Sequence, residues 1–239
     1  TSRHICLGSI AMALDLILIP LMAVLAYWPI RNGQFVFDDV HAILKQDAVR
    51  YRDWRLALRL ATWRKPAFLS YVLTAVLCRS PKLSPTPFHW TNIILHALAA
   101  IAAAWTGAQL GLSAWWVGMV FALHPLGVNA VANIANRSSV IAGLFSILSL
   151  GLVLAHHPLL AVLPFLAALA TKEDHMPVAG ALTGTALIIH DPMWWIWSLV
   201  VLWITLFNYK AVTILLADNG HRNAVMSGYR GALPIHQHI

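Results

Sequence analysis

Charged side chains are scarce in this sequence. Asp, Glu, Lys and Arg make up 10% of its 239 residues, against about 25% in a soluble domain, and 59% of the residues are hydrophobic. Too few polar groups remain to cover a soluble globule, which excludes both a water-soluble enzyme and a disordered chain. Cysteine is nearly missing as well. Cys6 and Cys78 alone build neither a disulfide-dense secreted scaffold nor a thiolate metal cluster. There is no Gly-rich phosphate loop, no zinc motif and no nucleophile elbow. Nor is there a Gly/Ser linker or a repeat of about 20–50 residues. Acidic residues number 9 against 16 Lys and Arg, a net charge of +7. That balance suits an anionic partner such as lipid headgroups or a phosphate, and no nucleic-acid partner is expected.

What is present is long uncharged runs. No Asp, Glu, Lys or Arg occurs from Leu83 to Asn136, or from Ser138 to Thr171. A membrane span takes roughly 20 residues. The first run therefore predicts two spans about a turn at Gly111-Leu112-Ser113, and the second two shorter ones about His156-His157-Pro158. Ile5 to Ile30 adds a first span, too continuous for a cleaved signal peptide. His175 to His190 and Pro192 to Leu216 add the last. The expected fold is all-α and polytopic, with about seven transmembrane helices. Residues 1–216 form the membrane module and 217–239 a polar extramembrane tail.

Parity then sorts the charges. Two crossings separate Lys82 from Arg137, Arg137 from Lys172, and Lys172 from Lys210, so all four share one face. On this count that face holds every Lys and Arg except Arg3, and every acid except Asp15 and Asp191. The loop 31–87 on that face has structure of its own. Tyr51, Trp54, Leu58 and Ala61 recur at helical spacing between Asp47 and Arg64, opposite Arg52, Arg55 and Arg59, which predicts a basic amphipathic helix lying in the interface. Pro66 to Cys78 is apolar but too short to span, and reads as a second interfacial or re-entrant segment. Trp115-Trp116 and Trp194-Trp195 read as an aromatic belt on the opposite face.

Candidate chemistry gathers on the charged face. Asp38 and Asp39 follow the first span directly, flanked by aromatics. Paired carboxylates in a partly apolar setting suit general-base work, although a solvated loop or a cap for the next helix explains them equally well. Lys172-Glu173-Asp174 closes a span, where Lys172 can hold a phosphate at the bilayer surface. Arg137 opens a span, where the helix N-terminus adds potential favourable to an anion; snorkelling to headgroups is the competing reading. His89 and His96 share a helical face with Asn92 between them, and His124 precedes Pro125. For each of these histidines a hydrogen-bonded helix contact is favoured over metal or pigment ligation, so no metal is expected.

These landmarks, in this order, resemble the membrane module of the GT-C glycosyltransferases, above all the O-mannosyltransferase-like proteins that carry tetratricopeptide repeats. The matching stretches are Phe35-Val36-Phe37-Asp38-Asp39-Val40-His41-Ala42-Ile43, Phe88-His89-Trp90-Thr91-Asn92-Ile93-Ile94-Leu95-His96-Ala97-Leu98, Phe121-Ala122-Leu123-His124-Pro125-Leu126 through Arg137, and Thr171-Lys172-Glu173. The resemblance implies a conserved seven-span module whose first extracytoplasmic loop carries interfacial helices. It implies inverting transfer of a sugar from a polyprenyl-phosphate donor to a hydroxyl. Asp38 and Asp39 would then be catalytic, Arg137 and Lys172 would hold the donor phosphate, and His124, Glu173, His89 and Asn92 would support them. No cofactor is expected beyond the lipid-linked sugar itself.

The chain departs from the family pattern in three ways: most members continue with further spans or repeats beyond the module matched by this sequence, and two local motifs differ. Asn129 stands where the family often has an acidic residue after the His-Pro pair, and Arg64-Lys65-Pro66-Ala67 replaces its usual aromatic-Arg-Pro-Leu. The alternative reading is a catalytically inactive accessory subunit of a larger membrane complex, with other membrane subunits and lipids as partners. The expected location is a bacterial inner membrane. The positive-inside rule would put the basic face in the cytoplasm; the resemblance puts it in the periplasm, and that is the expectation adopted.

Overall fold

The computed structural model describes residues 2–60, 65–78, 82–204 and 206. They are helical throughout, with no strand among the described residues. The first helix, α1, runs over Ser2–Tyr27 and is continued by a tighter 3-10 turn at Trp28–Asn32. In the loop that follows come α2 (Asp47–Arg50), α3 (Trp54–Leu60) and α4 (Lys65–Leu77). The uncharged runs supply α5 (Pro85–Gln109), α6 (Ala114–Leu123), α7 (Gly127–Ala132), α8 (Arg137–Leu154) and α9 (Pro158–Thr171). After these come α10 (Val178–Ile188) and α11 (Trp194–Ile204). The end of the last expected span, Lys210 and the 217–239 tail lie outside the described residues.

Among the described residues, three helical stretches are long and apolar enough to cross a membrane: Leu14–Asn32, Pro85–Gln109 and Ile134–Leu154. Lys65–Leu77, Ala114–Leu123, Pro158–Thr171, Val178–Ile188 and Trp194–Ile204 are apolar but shorter. The expected span after Gly111 is thus interrupted. His124 takes an extended backbone before Pro125 and ends α6 after ten residues, about 15 Å of helix, because the residue before a proline avoids the helical region.

The single amphipathic helix expected over Asp47 to Arg64 is instead two helices. Arg52 sits at φ +56, which breaks the helix, and Asp53 restarts it by accepting hydrogen bonds from the Arg55 and Leu56 amides at 2.8 and 3.0 Å. Arg52 does not point to solvent with the other arginines. Its Nε donates to the Ala75 carbonyl at 2.9 Å and fastens the break to α4. Ala57 is buried, whereas Trp54 and Leu58 are exposed, as are Arg55 and Arg59. Ala61 and Arg64 lie outside the described residues.

The centre of the fold is α5, which packs on α1, α6 and α8, while α8 also packs along α9. The buried residues of α5 are mostly small, including Ala97, Ala99, Ala100, Ala103 and Ala104, and small side chains let apolar helices approach closely. Polar groups on these seams are paired across helices. His96 Nε2 lies 3.1 Å from the Ala122 carbonyl, Thr106 Oγ1 donates to the Ile147 carbonyl at 3.1 Å, and Ser149 Oγ donates to the Ala161 carbonyl at 2.8 Å. His96 therefore takes the helix-contact role. The turn after α5 closes through Leu112 N to the Gly107 carbonyl with Gly111 at φ +73, the left-handed position glycine favours. The turns after α8 and α10 repeat that bond with His156 and His190 at the same position, φ +61 and +54.

Candidate active site at the start of α8

The loop leaving α1 is held from beneath by His89 on α5. A Cβ on Gly33 would lie 2.8 Å from His89 Nε2, so the backbone closes on the imidazole only with glycine there. His89 is buried, and among the described residues neither ring nitrogen has a hydrogen-bond partner. The two aspartates then part company. Asp39 is fully buried. Its Oδ2 accepts the Val36 amide at 3.1 Å and its Oδ1 accepts the Ala135 amide at 2.7 Å, just before α8. Asp38 is exposed. It follows Phe37, which is 86% exposed and held at φ +46, a conformation costly for a bulky residue. The Asp38 carbonyl accepts the His41 and Ala42 amides and so starts the π-helical turn Val40–Leu44. Asp38 is thus the solvent-accessible carboxylate of the pair.

Arg137 is fully buried, contrary to the expectation that it meets a phosphate directly. Its Nε donates to Asn92 Oδ1 at 2.6 Å, its Nη1 to Thr74 Oγ1 at 3.0 Å and to the Ser70 carbonyl at 3.1 Å, and its Nη2 to the Phe88 carbonyl at 2.9 Å. The guanidinium also lies 4.6 Å from the centre of the Tyr71 ring, a cation–π contact. Tyr71 in turn donates its hydroxyl to the Ile134 and Ala135 carbonyls, each at 3.0 Å. A planar donor fork surrounded by carbonyls is a reason for arginine in preference to lysine. Arg137 joins α4, α5 and α8 beneath the loop, and Asn92 completes that junction by donating to the Val131 carbonyl at 3.2 Å. Asp39 is within electrostatic reach of both Arg137 and His89.

On the other side of the α8 start lies an apolar groove of about 670 Å³ between α5, α6, α7 and α8. His124, Leu126, Ser139 and Gly143 are among its lining residues. Lys172 reaches its edge, donating to Ser139 Oγ at 3.0 Å and pairing with Asp174 Oδ2 at 3.0 Å. His124 is exposed, and its Nδ1 accepts the Leu126 amide at 3.2 Å, so the neutral ring carries its proton on Nε2. Asn129 is exposed, and its carbonyl accepts from Asn136 Nδ2 at 3.3 Å. Glu173 lies in the 3-10 turn Glu173–His175.

His175 bonds Ser146 Oγ through Nδ1 at 2.8 Å.

Asp39 and Lys172 thus bond residues four positions apart, Ala135 in the 3-10 turn Ile134–Asn136 that leads into α8 and Ser139 in the first turn of α8. Sequence reasoning passed over Ser70, Tyr71, Thr74, Ser139 and Gly143. The Ser138-Ser139 pair heading an otherwise apolar run was the available signal. Among the described residues, no three of His, Cys, Asp and Glu come together as metal ligands.

Comparison with known proteins supports the resemblance. A protein O-mannosyl-transferase of Caenorhabditis elegans is 27% identical over 157 residues, 57% of this chain and 22% of its own. Protein O-mannosyl-transferase TMTC1 of Mus musculus is 31% identical over 145 residues, covering 52% of this chain and 15% of its own. TMTC2 of the same species is 38% identical over 77 residues, 31% of this chain and 9% of its own. The chain is similar to these glycosyltransferases and spans less than a quarter of their length. No family model matches the chain, and no solved structure matches it.

Proposed function

We propose that this chain is a GT-C-like membrane module that transfers a sugar from a polyprenyl-phosphate donor to a hydroxyl acceptor, with inversion. One feature carries the reading: the loop that bears the exposed Asp38 is tied through Asp39 to Ala135, just ahead of α8, and Lys172 edges an apolar groove through Ser139 in the first turn of α8. The groove's volume is in the range of ligand pockets, about 300–1,000 Å³, and its apolar walls suit an isoprenoid chain. Asp38 takes the proton of the acceptor hydroxyl as its oxygen attacks the anomeric carbon. The bond from that carbon to the phosphate oxygen breaks, and the lipid phosphate leaves with the electron pair. Lys172 and the Nε2 proton of His124 meet the developing charge at the groove edge. Arg137, Asn92 and His89 hold the loop and α8 in register. The membrane placement proposed is a seven-crossing chain in a bacterial inner membrane, its charged face in the periplasm.

Gly143 gives this reading a direct test. A Cβ at Gly143 meets nothing within 4 Å, so Gly143→Leu starts its added side chain in open space and narrows the groove. The KM for a polyprenyl-phosphate sugar should rise about tenfold, the equivalent of about 1.4 kcal/mol, with the acceptor KM unchanged. An unchanged donor KM would remove the groove from the mechanism. A second reading, an inactive accessory subunit, is favoured by Asn129 at the place of an expected acid. It predicts no turnover together with a stoichiometric membrane partner on purification.

A further inference from the structure

The two aspartates look alike in sequence, yet the fold treats them differently. Asp39 lies in the floor of the loop, and both of its carboxylate oxygens accept backbone amides: Val36 within the loop and Ala135 on the other side of the site, 96 positions along the chain. The Asp39 amide also donates to the Val36 carbonyl at 2.9 Å. Residues 36–39 are therefore closed into a ring by Asp39 from both its backbone and its side chain. Phe37 and Asp38 are the only residues inside that ring, and both point away from the core. Phe37 at φ +46 is a conformation that persists only where the surroundings enforce it, and the ring supplies that enforcement.

We infer that Asp39 takes no proton from substrate but is the positioning residue that fastens the 36–39 ring to the start of α8, setting the reach of Asp38 and Phe37 toward the acceptor. The inference rests on the transferase reading for its consequence in catalysis, but not for the pin itself. A carboxylate bound by two amides and sealed from solvent has no open oxygen for an incoming hydroxyl. The bond to Ala135, whose amide is shared with Asn133 Oδ1 at 3.1 Å, links the ring to the segment entering α8, and the bond to Val36 doubles the backbone closure of the ring. A displacement of about 1 Å at a reacting group can cost 10²-fold in rate.

The test compares Asp39→Asn, Asp39→Ala and Asp38→Asn in the full chain in lipid nanodiscs. Amide hydrogen exchange is followed over peptides containing Val36 and Ala135, and transfer from a polyprenyl-phosphate sugar is followed as a function of pH. Asp39→Ala should raise exchange at both segments together. Asp39→Asn keeps the shape and one accepting oxygen, should raise exchange at one of them, and guards against a fold lost in the alanine variant. Asp39→Asn should slow transfer about 10–10²-fold while keeping the acidic limb of the wild-type pH profile. Asp38→Asn should remove that limb and leave exchange unchanged. Wild-type protection at both segments in Asp39→Ala would overturn the pin. Loss of the acidic limb in Asp39→Asn with exchange unchanged would overturn it too, by making Asp39 the base. If the wild type turns over no sugar, the transferase reading fails and the exchange data still decide the pin.

Discussion

Asp38→Asn is expected to lower sugar transfer by about 10²–10⁴-fold, the usual loss for a positioned general base, with folding and membrane insertion intact. The amide has the shape of the acid but cannot take a proton. Asp38 is exposed and its carbonyl, not its carboxylate, starts the turn Val40–Leu44, so the fold does not depend on the side-chain charge. Initial rates with saturating donor and acceptor measure the effect, and a matching thermal midpoint shows the protein is folded. A variant within threefold of the wild type would mean that another group takes the proton.

The second large effect is on stability. Arg137→Ala should cost about 3–5 kcal/mol, the scale on which buried charged networks lose a member, because four partner groups lose their donor at once. Asn92 Oδ1, Thr74 Oγ1 and the Ser70 and Phe88 carbonyls all face the guanidinium, and a buried acceptor left unpaired costs about 1–3 kcal/mol. Arg137→Lys should recover only part of this, since an ammonium cannot reach the acceptors on both α4 and α5 from one plane. Unfolding in mixed detergent, compared across wild type, Arg137→Ala and Arg137→Lys, reads the difference. If Arg137→Ala is as stable as the wild type but loses donor affinity, Arg137 is a phosphate ligand and not a junction.

These expectations show how far the sequence could be read. Uncharged runs marked where the apolar helices fall, because every Asp, Glu, Lys and Arg inside hydrocarbon is costly. Helix lengths were less legible. An uncharged run says nothing of where His124 turns the backbone before Pro125, and among the described residues three helical stretches meet the length of a span by themselves. The break at Arg52 was hidden for a similar reason: its spacing fits the polar stripe of a helix, and only the distant Ala75 carbonyl draws it out of register. The site residues were recognisable by type but not by duty. Asp38 and Asp39 are the same residue in adjacent positions, and what separates them is an amide at Ala135. Arg137 reads as a surface cation because the groups that bury it, Ser70, Thr74 and Asn92, come from elsewhere in the chain.

Transfer itself is the measurement closest to the central claim. The full chain, purified into nanodiscs, is given polyprenyl-phosphate sugars and a hydroxyl acceptor, with Asp38→Asn beside it, and the product's anomeric configuration is determined. The account predicts a glycosylated acceptor of inverted configuration and one equivalent of polyprenyl phosphate, both lost in Asp38→Asn. No transfer from any polyprenyl-phosphate sugar, with the chain recovered from native membranes in stoichiometric complex with another membrane protein, would contradict it.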